Sequence, residues 1–196
     1  QPGLSPLNFL AHLTLSPPGE DDIMVGNFFA NFAPGKSWQS LPEGIGKGVL
    51  LHRRIDDWTD NHPIIKQSKA LLPPEAGLFK GVLLDVYWDH FLARSFATYH
   101  TQTLASFTKT STTRLKEGAS KHFPQGVPMV EAMDRHDWLC GYATLEGIDA
   151  TLVQMGQRFP HENPLHHGAQ WLNQAHDDLG LQFDKLWPEA METFLT

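Results

Sequence analysis

Two segments rich in histidine and aspartate, residues 52–63 and 84–92, carry the side chains best suited to chemistry. In the second, Asp85 and Asp89 lie four residues apart within an otherwise almost wholly apolar run. On a helix this spacing stacks the two carboxylates on one face, about 40° apart, and a helix that is apolar on its other sides is buried. Because buried carboxylates need hydrogen bonds, cations or a metal ion, the two segments together suggest a metal site in a helical bundle.

The first segment repeats the four-residue spacing with His52 and Asp56. A histidine and a carboxylate so placed can chelate one divalent ion, or form a surface ion pair worth about a few tenths of a kcal/mol. The two aspartates of the second segment either join that ion or form a buried salt-bridge network with Arg53 and Arg54. The metal hypothesis expects His52 and Asp56 to meet Asp89 across two helices and share the ion.

Three further polar residues lie in apolar surroundings. His12 stands between apolar neighbours on a short helix, where a histidine is either a satisfied core residue or a ligand. Asn31 is either a cap before Pro34-Gly35 or a neutral ligand, and the preceding Gly26-Asn27 suggests a close approach of two helices. His90 directly follows Asp89, so both side chains reach one site only if it lies between their directions.

The elements that position these residues are predicted to be helices, because no stretch of useful length alternates apolar and polar residues. We expect helices over 8–15, 23–32 and about 43–61, then one long helix from Pro73-Pro74 to about Thr108. Further helices are expected over 129–143, 145–158, 166–179 and 183–195. Residues 1–6 read as a disordered arm or tag remnant, and residues 7–196 as a single all-α domain.

The composition excludes several classes of function. The net charge of −7 over 196 residues argues against a nucleic-acid binder, and the apolar stretches are too short to span a membrane. The single Cys140 excludes an intrachain disulfide and suits a reducing compartment, so we expect a cytoplasmic protein. There is no Gly-rich phosphate loop, nucleophile elbow or Cys-x-x-Cys motif.

Several motifs in order resemble the acyl carrier protein phosphodiesterase (holo-acyl-carrier-protein hydrolase) family. They are Asn8-Phe9-Leu10-Ala11-His12-Leu13, Gly26-Asn27-Phe28 through Phe32, His52-Arg53-Arg54-Ile55-Asp56, Thr59-Asp60-Asn61-His62-Pro63 and Asp85-Val86-Tyr87-Trp88-Asp89-His90-Phe91-Leu92-Ala93. The family is similar to the all-helical HD-domain metal-dependent phosphohydrolases. The resemblance implies hydrolysis of the phosphodiester that joins 4′-phosphopantetheine to a serine of acyl carrier protein, with Mn²⁺ or Mg²⁺ as the metal.

The resemblance also implies roles for particular residues. The implied metal ligands are His12, His52, Asp56, Asp85 and Asp89. The implied catalytic residues are Asn31, Asp60 and His90, and the implied substrate-binding residues are Lys47, Arg53, Arg54 and His62. Lys47, Arg53 and Arg54 form the densest positive cluster in an acidic chain, so we expect the carrier to dock there.

The chain departs from the family at two positions. Leu7 stands where the family begins with Met, and Asn31 stands where it carries Asp in a Gly-Asn-x-x-x-Asp-Phe motif. An amide keeps an acceptor oxygen but loses the charge. Asn31 therefore favours an alternative, a non-catalytic relative that binds acyl carrier protein. A third hypothesis is an HD-type phosphohydrolase acting on a small phosphoester.

Overall fold

A computed structural model describes residues 8–196, in which the regular elements are all helices and there is no strand. The predicted arm of residues 1–6 lies outside this range. Five short 3-10 segments (Ala30–Phe32, Ser37–Ser40, Pro74–Phe79, Pro124–Gly126 and Pro164–His167) connect some of the helices. The helices are α1 Phe9–Thr14, α2 Asp21–Phe28, α3 Glu43–Asn61, α4 Pro63–Ala70, α5 Lys80–Arg94, α6 Phe96–Tyr99, α7 Leu104–His122, α8 Val127–Arg135, α9 Trp138–Gly141, α10 Leu145–Gly156, α11 Gly168–Gln174 and α12 His176–Leu195.

The predicted all-α class is confirmed, but three predicted helices are broken; the one expected over 166–179 is divided at Ala175 between α11 and α12. The expected helix from Pro73 to Thr108 is wrong, because Gly77 takes a positive φ of 50° and His100 is extended. Thr103 then caps α7 by accepting a hydrogen bond from the Ser106 N–H. The expected helix over 129–143 divides into α8 and α9 where Asp137 adopts a left-handed φ of 49°.

Helices α2 and α3 cross in backbone contact, as the small residues at 26 and 27 predicted. A Cβ placed on Gly26 would lie 2.0 Å from the Ile45 carbonyl oxygen, and one on Gly48 would lie 2.2 Å from the Ile23 carbonyl oxygen. No larger side chain fits at either position without moving a helix. The crossing brings α2 backbone atoms next to the side chains of α3.

Ten of the fifteen residues of helix α5 are buried, and the helix packs against α1, α4, α10 and α12. The Tyr87 hydroxyl on α5 donates a 2.7 Å hydrogen bond to the Gly168 carbonyl, and Trp88 stacks near Phe183 of α12. The apolar surroundings of the second aspartate-rich segment therefore form part of one hydrophobic core. This core holds α1 and α3 close to α5.

Candidate metal centre

One group of side chains among residues 8–196 has the spacing to hold a metal ion. His12 of α1 meets His52 and Asp56 of α3, with ligand atoms all within 4.8 Å of one another. The His12 Nε2 lies 3.1 Å from Asp56 Oδ1, and the His52 Nε2 lies 3.1 Å from Asp56 Oδ2. The two imidazole rings stack with centroids 3.9 Å apart. Both histidines are buried, and the Asp56 side chain keeps 28% exposure, so the group opens to solvent on the Asp56 side.

Asn27 of α2 fixes the tautomer of both histidines. His52 Nδ1 lies 2.7 Å from the Asn27 carbonyl oxygen, which can only accept, so Nδ1 carries the hydrogen. His12 Nδ1 lies 2.7 Å from Asn27 Oδ1, while Asn27 Nδ2 donates to the His12 carbonyl and to Ser16 Oγ. These two donated bonds set the orientation of the Asn27 amide, so the oxygen facing His12 Nδ1 is an acceptor. His12 Nδ1 therefore carries a hydrogen, as His52 Nδ1 does. We therefore assign the lone pair of each neutral imidazole to Nε2, the atom that faces Asp56.

These two lone pairs oppose a negatively charged group. Burial raises the pKa of Asp56, and N–H donation or positive charge from His12 and His52 lowers it; with both rings neutral and hydrogen-bonded through Nδ1, a bound cation would take the place of those protons in keeping the carboxylate ionised. Burial, reinforced by the nearby His52, lowers the pKa of His12, which disfavours a protonated ring. The buried His52 Nε2 makes no hydrogen bond of suitable geometry. A divalent cation bound by both nitrogens and the carboxylate resolves this repulsion, so the donor set fits a metal ion.

Asp89, expected as a metal ligand, uses both carboxylate oxygens elsewhere. It accepts hydrogen bonds of 2.9 Å from the backbone N–H groups of Leu10 and Ala11 in the first turn of α1. These N–H groups have no partner within their own helix, so a side chain of α5 caps α1. Burial raises the pKa of Asp89, and the two N–H donors act in the opposite direction. In this structure Asp89 sets the position of α1, and thereby of His12.

Asp60 and Asp85 lie close to this candidate metal-binding group without belonging to it. Burial, followed by the charges of Asp56, Asp60 and Asp89, raises the pKa of Asp85 well above its ordinary value. Burial and then Asp56 raise the pKa of Asp60. Asp60 follows Asp56 by one helical turn on the same side of α3. The two aspartates therefore extend the acidic surroundings of the site outward from Asp56.

Three other predicted residues lie outside this group. Asn31 is exposed on the 3-10 turn that follows α2. His90 is fully buried, with Nδ1 2.8 Å from the Tyr142 carbonyl oxygen and Nε2 2.9 Å from His176 Nε2. It therefore joins α5 to the α9–α10 connection and to α12. His62 caps α4 and contacts Glu189 at 2.9 Å.

The basic cluster expected from the sequence divides between different sides of α3. At roughly 100° per residue, Lys47 and Arg54 point about 140–180° away from His52 and Asp56. Lys47 pairs with Glu43 at 2.6 Å. The Arg54 guanidinium lies over the Phe194 ring, 5.8 Å from its centroid. Arg53 alone flanks the site, and its Nη2 donates a 2.8 Å hydrogen bond to the Ala33 carbonyl.

Sequence reasoning missed two supporting residues, Asn27 and Ser16. Both are buried, and Ser16 Oγ donates to the His12 carbonyl while accepting from Asn27. The one available signal was a polar amide in the apolar segment of α2. Its position was predicted as a helix contact, but its hydrogen bonds to two histidines were not.

A membrane-spanning role finds no support in residues 8–196, where no helix is both long and apolar enough to cross a bilayer.

Comparison with known proteins gives one consistent result. A family model described as "Acyl carrier protein phosphodiesterase" matches residues 7–190. The protein of that name from Enterobacter sp. (strain 638) is 32% identical over 186 residues, covering 94% of this chain and 96% of the relative. The protein of that name from Klebsiella pneumoniae subsp. pneumoniae is 30% identical, covering 94% of this chain and 96% of the relative. The one from Escherichia coli O45:K1 is 29% identical, covering 95% of this chain and 96% of the relative. No solved structure matches the chain.

Proposed function

The chain belongs to the acyl carrier protein phosphodiesterase family, and we propose that it is a metal-dependent hydrolase of holo-acyl carrier protein. It would cleave the phosphodiester to 4′-phosphopantetheine and release apo-carrier, in the reducing compartment that its single cysteine suits. The observation that carries the metal dependence is the pair of Nε2 atoms 3.1 Å from the two oxygens of the Asp56 carboxylate, in rings whose Nδ1 atoms are bound to Asn27. That arrangement is repulsive without a cation and favourable with one.

His12, His52 and Asp56 would hold the ion. Mn²⁺ suits a set of two imidazole nitrogens and one carboxylate better than Mg²⁺, which prefers oxygen ligands and keeps several waters. When bound, such an ion polarises a phosphoryl oxygen and lowers the pKa of a water molecule, supplying a nucleophile at neutral pH. Asp85 and Asp89 act indirectly in this account, through the surrounding charge and through the cap on α1.

The other side chains at the opening have roles that follow from their charge. Asp60 is the candidate proton carrier, because it lies one turn beyond Asp56 and its pKa is shifted upward, towards the range of an acid–base group. Arg53 flanks the opening and has N–H groups beyond the one bound to Ala33. It is the candidate contact for the substrate phosphate or the acidic carrier.

The proposal is tested by incubating holo-acyl carrier protein with the protein and Mn²⁺ and weighing the carrier by mass spectrometry. We expect loss of the phosphopantetheine mass, with inhibition by a chelator. His52→Gln should abolish the loss, whereas His161→Gln, an exposed histidine away from the site, should not. An unchanged carrier mass in the presence of several divalent ions would overturn the proposal.

A second candidate function is binding of the carrier without cleavage. It is favoured by Asn31, an exposed residue at the position where the family resemblance places an aspartate. This reading expects a stable complex with holo-carrier and no change in its mass. We also retain the HD-domain likeness as a proposal, supported by an all-α chain that joins histidine and aspartate from separate helices. Hydrolysis of a nucleotide in place of holo-carrier would favour that broader class of phosphohydrolase.

A further inference from the structure

Lys69 is a half-buried lysine with no assigned role. It follows the buried Ile65 of α4 by one helical turn, so its stem leaves the inner side of that helix, whereas Lys66 is exposed. Within residues 8–196, the lysines with an ion pair or hydrogen bond are Lys47, Lys80, Lys109 and Lys116, and Lys69 is not one of them. The ammonium is not among the buried polar atoms that lack a partner, so a half-buried stem carries it to solvent.

The ammonium lies over the first turn of α5. A Cβ placed on Gly81 would be 4.0 Å from both Cε and Nζ of Lys69, and nothing else would lie within 4 Å of it. Asp85 follows Gly81 by four residues, so both occupy one side of α5. The Lys69 charge lowers the pKa of Asp85 and of Asp60, against the larger upward effect of burial. Lys69 therefore lies near Asp60 and Asp85, the two aspartates next to the candidate metal-binding group.

A phosphodiester needs a positive charge at this place. The charge of Asp56, and that of Asp60 when it is ionised, repels an anionic substrate at this site. Of the three basic residues of α3, Lys47 has Glu43 as a partner and Arg54 has the Phe194 ring. Arg53 donates from Nη2 to the Ala33 carbonyl and keeps its other N–H groups for the substrate, so Lys69 would add a second positive charge. Among the basic residues of α3 and α4, Lys69 is the one that lies near Asp60 and Asp85 without a partner of its own.

We propose that Lys69 binds the phosphate of the substrate, its ammonium contacting a non-bridging oxygen of the phosphodiester and of the released 4′-phosphopantetheine. The inference rests on the proposed function. It names a specificity-determining residue outside the metal-binding group, on a helix that contributes no metal ligand. Lysine suits this role as a compact charge on a flexible stem, and Gly81 leaves room for the phosphate beside it.

The test measures binding, not turnover. Calorimetry would compare 4′-phosphopantetheine and pantetheine, which lacks the phosphate, on the Mn²⁺-loaded wild type and three variants: Lys69→Met, Lys69→Arg and Lys66→Met. We expect Lys69→Met to weaken phosphopantetheine binding by about tenfold or more, the usual effect of losing a hydrogen bond to a charged group. Lys69→Arg should keep most of the affinity, Lys66→Met should bind as the wild type, and pantetheine binding should not depend on residue 69.

The affinity for Mn²⁺ separates this role from a structural one. Removing a positive charge near the aspartates should leave Mn²⁺ affinity unchanged or raise it. Equal weakening of phosphopantetheine and pantetheine, or weaker Mn²⁺ binding with a lowered melting temperature, would show that Lys69 only supports the fold. Unchanged phosphopantetheine affinity in Lys69→Met, or a wild type that does not bind phosphopantetheine, would also overturn the proposal. If the wild type binds phosphopantetheine through Lys69 yet leaves holo-carrier intact, the hydrolase proposal fails while the role of Lys69 stands.

Discussion

Replacing Asp89 by asparagine separates its role as a helix cap from a role as a metal ligand. The carboxylate accepts from the N–H groups of Leu10 and Ala11, both at 2.9 Å. An amide has one acceptor oxygen, so one buried N–H of α1 loses its partner and faces an NH₂ group instead. Leaving one buried donor unsatisfied costs about 1–3 kcal/mol. In a chain of this length, that corresponds to a fall in Tm of about 2–12 °C.

The assay combines thermal melting with Mn²⁺ calorimetry on Asp89→Asn and on Asp149→Asn, an exposed aspartate of α10. We expect the first variant to melt earlier and to keep most of its Mn²⁺ affinity, since the proposed ligand set of His12, His52 and Asp56 is intact. The second should behave as the wild type. A variant at Asp89 that melts normally but loses Mn²⁺ binding would refute the cap and make Asp89 a metal ligand, as its sequence spacing suggested.

Three further predictions concern the geometry around the same site. Gly48→Ala should destabilise the fold by about 1–3 kcal/mol and weaken Mn²⁺ binding. The new Cβ would lie 2.2 Å from the Ile23 carbonyl oxygen and push α2, with Asn27, away from α3. Thermal melting and calorimetry should show neither effect for the control variant Gly141→Ala, because nothing lies within 4 Å of a Cβ at that position. Asn31 lies outside the ligand group, but a carboxylate attracts a divalent cation more than an amide does, so Asn31→Asp should raise Mn²⁺ affinity and holo-carrier hydrolysis. A folded variant that binds and cleaves no better would show that this exposed position does not influence the site. Mn²⁺ affinity should fall as pH decreases, because the ligating imidazoles must be unprotonated. Burial and the neighbouring His52 ring lower the pKa of His12. Calorimetry from pH 5 to 8 should therefore find that Mn²⁺ affinity falls at pH values below the ordinary histidine pKa of about 6.5. An Mn²⁺ affinity that does not change with pH would contradict the histidine ligands.

The sequence was sufficient to predict the helical class and part of the site. The absence of alternating segments predicted an all-α chain, and the four-residue spacing of His52 and Asp56 predicted their approach on one face of α3. For His12, the motif resemblance was decisive, since a histidine in an apolar helix has no spacing signal of its own. The break at Asp137 was not predicted, because a left-handed backbone at a non-glycine residue follows from tertiary packing and not from local preference.

The partners of buried polar groups were the main feature that spacing could not supply. The pattern placed Asp89 on a buried helix face and required a partner, but a metal ion and a helix N-terminus satisfy a carboxylate equally well. Only the packing of α1 against α5 identifies the partner. Similarly, consecutive residues of a helix point about 100° apart. A basic cluster that is dense in sequence therefore divides in space, with Arg53 beside the site and Lys47 on another side of α3.

The central claim, that one divalent ion is held by His12, His52 and Asp56, is tested most directly by diffraction from crystals grown or soaked with Mn²⁺. Data collected where manganese scatters anomalously would locate the ion independently of the protein model. We predict an anomalous peak within about 2–2.6 Å of both Nε2 atoms and an Asp56 oxygen, with the Asp89 oxygens still bound to α1. A fully loaded crystal whose peak lies on Asp85 and Asp89, or that shows no peak between the two histidines, would contradict the assignment.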